Sequence, residues 1–225
     1  MAASESSPPP RSRLRDGARV IAPLTIAVLA FGTSYGLLAR AAGMGAIAPI
    51  VMSATTFAGS AQFAAAAILD NGGGVAAAIV AALLLNARYA PMGIAAAPGF
   101  TGPAPLRLLK SQLVVDESWA LAARGGGRFD MGILLGAGLV LYPAWVGGTA
   151  VGALAGDFLG DPERLGLDAA FPALFLALLL PQLRTRRAVG AAVLGGAIAL
   201  ALLPFSAPGV PIIAGSVACL LGLKR

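Results

Sequence analysis

The chain has 225 residues, of which 58% are hydrophobic and 12% are charged, and its net charge is +6. A soluble domain carries about 25% charged residues. This composition therefore excludes a soluble globular protein and predicts an all-α integral membrane protein, a helical bundle with room for about six to eight spans. The absence of His and the single Cys219 argue against a metalloenzyme, a His-dependent hydrolase and a disulfide framework.

Basic residues lie in short clusters between the apolar runs, although the sequence pI is about 10.4. Such clusters are typical of the topology signals that flank membrane spans, and not of a surface that binds nucleic acid. The sequence therefore predicts a lipid bilayer as the surroundings and no nucleic-acid partner. It offers no motif for a cofactor or a metal ion.

Residues 1–19 are rich in Ser and Pro and then in Arg, with too little apolar content to fold alone. They predict a disordered cytoplasmic tail, followed by a first transmembrane half (20–97), a connecting segment (98–129) and a second transmembrane half (130–225). A signal peptide is the alternative, since Ala39-Arg40-Ala41 resembles a cleavage site. The uncharged run from Val20 to Ala39 exceeds the usual core of about 7 to 15 residues, which disfavours cleavage.

Further uncharged runs give the other spanning candidates. They are Ala41 to Leu69, Asn71 to Ala87, Met131 to Gly156, Ala169 to Leu183 and Ala188 to Leu223. The last run is too long for one crossing, and Pro204, Pro208 and Pro211 predict a break into two short helices. The charged, Pro-containing stretch from Gly99 to Arg128 predicts a long loop with an amphipathic or partly inserted helix.

Loop charges predict the orientation of the chain through the positive-inside rule. The basic tail, the connecting segment, the turn from Arg184 to Arg187 and the end Lys224-Arg225 are expected in the cytoplasm, and the acidic loop with Asp157, Asp161 and Glu163 outside. This orientation requires an even number of crossings between Val20 and Ala97, where three apolar segments occur. One of them is therefore expected to be broken or re-entrant, unless one loop departs from the charge rule.

Small and polar side chains mark the segment after Met44 as the irregular one. On a continuous helix they form two nearly opposite stripes, one of Ser53, Thr56 and Ser60 and the other of Thr55, Gly59 and Gln62. A buried helix whose small residues allow close packing would explain them. The alternative is a discontinuous helix whose freed backbone groups line a substrate cavity. On that interpretation these residues, Thr55 excepted, bind substrate, and Ser60 and Gln62 line the pathway.

Arg88 lies near the middle of a predicted span from Gly74 to Ala97. An arginine at that depth costs at least about 2.5–3.5 kcal/mol, so we expect it to bind a substrate carboxylate or to lock a conformation. Asn86 is a neighbouring polar group that we also expect to bind substrate. Two alternatives for Arg88 are snorkelling to the interface and a structural ion pair with Asp70, Asp116 or Glu117.

A short internal repeat favours a transporter. Residues 32–39 match residues 148–155 at five of eight positions, all in register. Secondary transporters are often internally duplicated, with the binding site between the two repeats. The repeat therefore predicts two related halves, either parallel or inverted, with broken or re-entrant helices between them.

Five phrases, in order along the chain, resemble one known family. They are residues 57–63 (FAGSAQF), 86–89 (NARY), 116–118 (DES), 145–149 (WVGGT) and 166–178, which begins GLD and ends FLAL. From about Ala18 to the C-terminus the chain is similar to the AzlC family of branched-chain amino acid permeases. Tyr89 stands where His is common in that family, so a proton role at that position does not carry over.

The resemblance implies the large subunit of a two-component exporter in the bacterial cytoplasmic membrane. Its implied partner is a small hydrophobic AzlD-type subunit, and its implied substrates are valine, leucine and isoleucine. A zwitterionic amino acid needs an anion site, an ammonium site and an apolar wall. Arg88 or a helix N-terminus offers the first, carbonyl or carboxylate groups the second, and Phe57 and Phe63 the third.

Asp116 and Glu117 are the candidates for proton coupling, since both lie near a span boundary. The alternative is that they form a solvated helix face. Other classes of function stay open at this point: a transporter of another small solute, and a non-transporting scaffold or assembly subunit. We do not expect an enzyme, because the chain offers no convergent nucleophile and base.

Overall fold

The computed structural model describes residues 10–124, 128–159, 185–206 and 210–218, together with positions 176, 179, 180 and 183. Some of the sequence predictions concern other residues. The acidic loop at Asp161 and Glu163, Arg184, the phrase that begins at Gly166, most of the expected span from Ala169 to Leu183, and Lys224-Arg225 lie outside the described residues.

The described residues are helical, and no strand occurs among them beyond one isolated bridge between Ala123 and Phe129. The helices are α1 (Pro10–Ala41), α2 (Ile47–Thr56), α3 (Gly59–Asp70), α4 (Val75–Asn86), α5 (Tyr89–Ala96, continued by a 3₁₀ turn Ala97–Gly99), α6 (Ala104–Ser111), α7 (Asp116–Ala122), α8 (Met131–Leu159), α9 (Arg186–Leu202) and α10 (Val210–Ser216).

Within the described part of the chain, three helical stretches are long and apolar enough to cross a membrane: Arg13–Ala41, Val75–Gly99 and Met131–Ala155. Large apolar side chains such as Ile26, Leu83 and Leu200 are exposed on these helices and on α9. In a bilayer such side chains contact lipid instead of water. The protein is therefore an all-α integral membrane protein, as the composition predicts.

The first helix begins earlier than the sequence predicts. Since α1 starts at Pro10, the basic residues up to Arg19 are helical, and the predicted disorder does not hold for residues 10–19. Proline suits a first helical position because its missing N–H would be unpaired there anyway. Contacts with α8 hold this extension, since Arg13 pairs with Asp130 at 2.8 Å and Gly17 lies against the backbone of Ile133.

Glycines allow α1 and α8 to touch along their backbones. Gly32 and Gly36 of α1 face Gly148 and Gly152 of α8, and a methyl group on Gly36 or Gly152 would overlap a carbonyl oxygen of the opposite helix. Such small residues, spaced four apart, let transmembrane helices approach closely. The repeated phrases at 32–39 and 148–155 are therefore packed on each other.

Helices α1 and α8 run in the same direction. Gly17 meets Ile133 near the two starts, and Gly36 meets Gly152 further along. Asp130, just before α8, pairs with Arg13 and also with Arg124 of the connecting segment at 3.4 Å. The start of α1 and the end of the connecting segment therefore share one end of the bundle, called here the basal end, and the repeated phrases are arranged in parallel.

Helices α2 and α3 form a re-entrant hairpin that descends from the opposite, distal end. The hairpin tip lies at Phe57 and Ala58, between the two helices. Just before the tip, the Tyr142 hydroxyl donates to the carbonyl oxygen of Ala54 at 2.8 Å. Tyr142 lies about 16 Å along α8 from its start at 1.5 Å per residue, so the tip is near mid-depth.

Helix α3 returns from the tip toward the distal end. Its Ala65 and Ile68 pack against Ala81 and Ala78 of α4, which descends antiparallel to it. Residues 47–70 therefore enter and leave the bundle on the same side. The hairpin therefore turns back inside the bundle and does not cross it.

The two polar stripes predicted on a continuous helix do not occur, because the backbone breaks at the hairpin tip. Phe57 is in the left-handed conformation, with φ 44° and ψ 50°, which costs an L-residue about 1–2 kcal/mol. The break brings members of opposite stripes together, and the Gln62 amide donates to the Ser53 hydroxyl at 2.8 Å. The stripe assignment is therefore wrong.

Helices α4 and α5 complete the return to the basal end, where Gly99 lies against Met131. The connecting segment then rises again to mid-depth, since the Gln112 amide donates to the Thr55 carbonyl oxygen at the hairpin tip at 2.8 Å. It then continues through α7 to Asp130. The predicted break in the last run falls between α9 and α10.

The fold predicts which residues are labelled from each side of the membrane. In a Cys219→Ser background, a cysteine at Lys110 should react with a membrane-impermeant thiol reagent only from the cytoplasm, and one at Ala41 only from outside. The two positions lie toward opposite ends of the bundle, and the basic residues near the basal end favour a cytoplasmic location for that end. Labelling of intact cells and of inverted vesicles measures this. Reaction of the cysteine at position 110 in intact cells would overturn the orientation.

Candidate functional site

A cavity of about 310 Å³ lies at mid-depth, where the hairpin tip meets α1, α5, α7 and α8. This volume is at the lower end of the range for small-molecule sites. It is here called the charged cavity, because three ionisable side chains form one part of its wall. Its lining residues are Leu24, Ala27, Val28, Phe31, Phe57, Gly59, Ser60, Phe63, Arg88, Tyr89, Val115, Asp116, Glu117, Leu141 and Trp145.

Arg88 links two structural elements across this cavity. Its Nη2 atom donates to Ser60 Oγ at 2.9 Å and pairs with Asp116 Oδ2 at 2.7 Å. The guanidinium also lies over the ring of Tyr89, 5.2 Å from its centroid. Arg88 therefore forms an ion pair with Asp116, one of the three acids named as its possible partners. Arg88 Nε is buried without a hydrogen-bond partner among the described residues.

The two carboxyl groups of the cavity share a single cation. Burial raises the pKa of Asp116 above its usual value, and the Arg88 guanidinium opposes that rise. Burial also raises the pKa of Glu117, and the Asp116 carboxylate raises it further, while its own backbone N–H and Arg88 lower it. Both groups therefore hold a proton to higher pH than exposed carboxyl groups do. With both ionised, the cavity carries one uncompensated negative charge.

Aromatic and aliphatic side chains form the other part of the wall. Trp145 stacks on Tyr35 with ring centroids 6.1 Å apart and meets Phe63 edge-on at the same distance. Gly59 leaves room for the indole, since a methyl group at that position would lie 3.0 Å from the ring. The cavity thus has a charged end and an apolar body.

Gln62 holds the hairpin tip from behind the cavity. Its side-chain oxygen accepts hydrogen bonds from the Ala58 N–H at 3.2 Å and from Trp145 Nε1 at 2.9 Å. Its amide nitrogen donates to Ser53 Oγ, which lies 2.8 Å from the Thr149 hydroxyl. Because two of its neighbours are obligate donors, the orientation of the amide is fixed.

The predicted substrate-binding residues therefore divide into three groups. Gly59, Ser60 and Arg88 line the charged cavity, with the predicted coupling residues Asp116 and Glu117. Ser53 and Gln62 are fully buried in the network behind it and do not line it. Thr56 and Asn86 line a second cavity of about 360 Å³ beside the first.

Sequence reasoning missed the residues that α8 contributes. Trp145 and Thr149 are central to the wall and the network, and Leu141 also lines the charged cavity. The sequence did carry a signal for these residues. Trp145 and Thr149 are the first and last residues of one of the family-like phrases, and Thr149 also lies in the internal repeat. Among the described residues no group of three or more acidic, His or Cys side chains is arranged to hold a metal ion.

Several known proteins are similar to this chain in sequence. Residues 23–159 match the sequence family whose description is "AzlC protein". An uncharacterized membrane protein of Archaeoglobus fulgidus is 34% identical over 207 residues, covering 87% of each chain. The branched-chain amino acid transport protein AzlC of Bacillus subtilis is 29% identical over 179 residues, or 76% of this chain and 70% of the relative. The inner membrane protein YgaZ of Escherichia coli is 28% identical over 231 residues, or 96% and 91%. No solved structure matches.

Substitution of Gln62 tests its role at the hairpin tip. In Gln62→Leu, the N–H groups of Ala58 and Trp145 lose their acceptor, and each buried unpaired group costs about 1–3 kcal/mol. We expect a clearly lower melting temperature of the purified protein. In a Trp119→Phe background, Trp145 is the remaining tryptophan. The Gln62→Leu change should then also shift the fluorescence emission of Trp145. Asn71→Ala removes an exposed side-chain hydrogen bond and serves as the control. Equal melting temperatures for the two variants would contradict the assignment.

Proposed function

The chain belongs to the AzlC family of membrane transport proteins, and from that premise we propose that it exports branched-chain amino acids across the bacterial cytoplasmic membrane. The observation that carries this proposal is the charged cavity. One end of it offers groups of both signs, and the body is apolar. A free α-amino acid with an aliphatic side chain is divided in the same way, with an ammonium and a carboxylate at one end and an apolar side chain at the other.

The substrate carboxylate is proposed to bind Arg88. That guanidinium already uses Nη2 for Ser60 and Asp116, while its Nε is unpartnered among the described residues. The first turn of α3, with Gly59 and Ser60 on the cavity wall, adds backbone N–H groups that lack intrahelical acceptors. A carboxylate there gains from the positive end of the helix dipole as well as from the arginine.

The substrate ammonium is proposed to bind the carboxylates of Asp116 and Glu117. An amino acid that takes Arg88 as its carboxylate partner weakens the Arg88–Asp116 pair, and its own ammonium then compensates the freed acid. The exchange pairs both charges of the substrate and leaves the net charge of the cavity unchanged. Such compensation is needed because an unpaired charge at this depth is costly.

The aliphatic side chain is proposed to contact Phe57, Phe63, Leu141 and Trp145. The cavity has room for the volume of about ten water molecules, which is enough for an amino acid with a branched aliphatic side chain. Hydrophobic contact alone discriminates poorly between chains that differ by one methylene. We therefore expect valine, leucine and isoleucine to compete with one another.

Proton coupling is proposed to use Asp116 and Glu117. Protonation of Glu117 neutralises the empty cavity, and arrival of a substrate ammonium favours the ionised carboxylate and releases the proton. Proton and substrate then occupy the cavity alternately. That alternation is the requirement for exchanging one for the other.

The partner and the orientation are also part of the proposal. The family resemblance supports a small hydrophobic AzlD-type subunit, and the exposed apolar faces of the spanning helices offer room for it. The basic residues near the basal end support a cytoplasmic N-terminus. The B. subtilis relative is named as a transport protein, which supports transport and not catalysis.

Arg88 gives the sharpest test of the site. We expect Arg88→Ala and Arg88→Lys to lower leucine transport at least about tenfold with normal membrane insertion, because an ammonium cannot reproduce the shared geometry of a guanidinium. Arg107→Ala, an exposed arginine on α6, should transport normally. Efflux of radiolabelled leucine from loaded cells measures this. Near-normal efflux by a well-expressed Arg88→Ala variant would rule out the carboxylate site.

Glu117 gives the test of coupling. Because its pKa is raised, leucine binding by the natural protein should weaken as the pH falls through that raised value and the carboxylate is lost. Glu117→Gln should bind weakly at every pH between about 5 and 8. Asp70→Asn, an exposed acid outside the cavity, should keep the natural profile. Equilibrium binding of labelled leucine measures this, and an unchanged profile for Glu117→Gln would remove it from the coupling scheme.

A further inference from the structure

The second cavity lies on the basal side of the hairpin tip and has a different chemistry. Its polar lining comes from Thr56, Asn86, Ser111 and Gln112, together with Tyr89. None of these side chains carries a charge at neutral pH. Thr56 and Ser111 are exposed, so the cavity opens to the exterior of the described fold. Asn86 Oδ1 is buried and has no hydrogen-bond partner among the described residues.

Two side chains line both cavities and so form a partition between them. Phe57 and Tyr89 belong to the wall of the charged cavity and to that of the second cavity. Phe57 is buried and meets Tyr142 edge-on, with ring centroids 5.2 Å apart. Tyr89 stands at the start of α5, directly after the arginine of the charged cavity. Movement of either ring would join the two spaces.

The backbone of Phe57 is held in a conformation that suits a movable element. Among the described residues it is the one residue other than glycine with a positive φ. A bulky residue in this region is an outlier that persists only when its surroundings impose it, and such outliers cluster at functional and switching sites. Here the surroundings are the Gln62 network on one side and the Gln112 amide on the carbonyl of Thr55 on the other.

Building on the proposed function, we infer that the second cavity is a second station for the amino-acid substrate, and that the Phe57 ring is the gate between it and the charged cavity. The second station takes the zwitterion through neutral amide and hydroxyl groups. Because it offers no opposite charges, it binds the substrate more weakly than the charged cavity does. In an exporter the substrate enters from the basal, cytoplasmic end, and a weak station there passes it on to the stronger charged cavity.

A cysteine at Ser111 tests whether the second cavity is on the path. The full-length chain, with Cys219→Ser and Ser111→Cys, is reconstituted into vesicles and treated with a bulky hydrophilic thiol reagent. Leucine exchange across the vesicle membrane and equilibrium binding of leucine are then measured. Leu108→Cys, an exposed position one turn earlier on α6 that does not line the cavity, is the matched control.

We expect modification at position 111 to slow exchange at least about tenfold while the dissociation constant for leucine changes less than about twofold, because the reagent blocks movement and leaves the charged cavity intact. Modification at position 108 should change neither quantity. Exchange that continues at its former rate after modification at 111 would overturn the inference. So would a thiol at 111 that fails to react, or a loss of binding together with exchange. Failure of the unmodified protein to bind leucine would instead contradict the proposed function.

A second variant tests the gate. Phe57→Ala opens the partition, and we expect faster exchange with weaker retention of bound leucine, seen as a dissociation rate raised at least about fivefold. Phe205→Ala removes an exposed ring that lines neither cavity and should leave the dissociation rate unchanged. Equal dissociation rates for Phe57→Ala and the natural protein would show that the ring is not a gate, whatever the result at position 111.

Discussion

The side chain of Gln62 replaces the hydrogen bonds that the hairpin tip gives up when the helix between Ile47 and Asp70 breaks. It accepts from the backbone of Ala58 and from the Trp145 indole and donates to Ser53, so one residue joins α2, the tip, α3 and α8. Backbone breaks inside a membrane are tolerated where protein groups take over the freed donors and acceptors. The charged cavity depends on this network, because the hydrogen bonds of Gln62 fix the positions of Gly59 and of the Trp145 ring in its wall.

The close contact between α1 and α8 sets the depth at which the neighbouring helices break. The glycine faces of α1 and α8 bring the two repeated phrases together in parallel. Around this pair, three elements interrupt their helices at a similar level: the tip of the α2–α3 hairpin, the junction of α4 and α5, and the start of α7. Broken elements that meet at mid-depth form the arrangement from which secondary transporters build their sites. The polar groups thus gather where a bilayer is least able to solvate them.

Arg88 connects these elements electrostatically. Through a single nitrogen it binds Ser60 on the hairpin and Asp116 on α7. A cation shared in this way can be redirected to a substrate carboxylate at a modest cost, provided that the released acid gains an ammonium. The ion pair is therefore suited to exchange between two states. A fully buried, fully satisfied arginine would instead be a fixed structural element.

The sequence by itself determined the membrane class, the helical fold, the need for a partner at Arg88 and the need for an irregular element in the first half, because these follow from apolar run length and from the cost of placing charges in lipid. Tertiary structure decided where the chain turns back, and with it the roles of individual polar residues. Periodicity presumes a continuous helix, so it placed Ser53 and Gln62 on opposite faces, whereas the left-handed residue Phe57 brings them together. Periodicity also could not assign Thr56 and Asn86 to one cavity and Ser60 and Arg88 to another. The rings of Phe57 and Tyr89 divide the two cavities, and these rings come together only when distant segments pack.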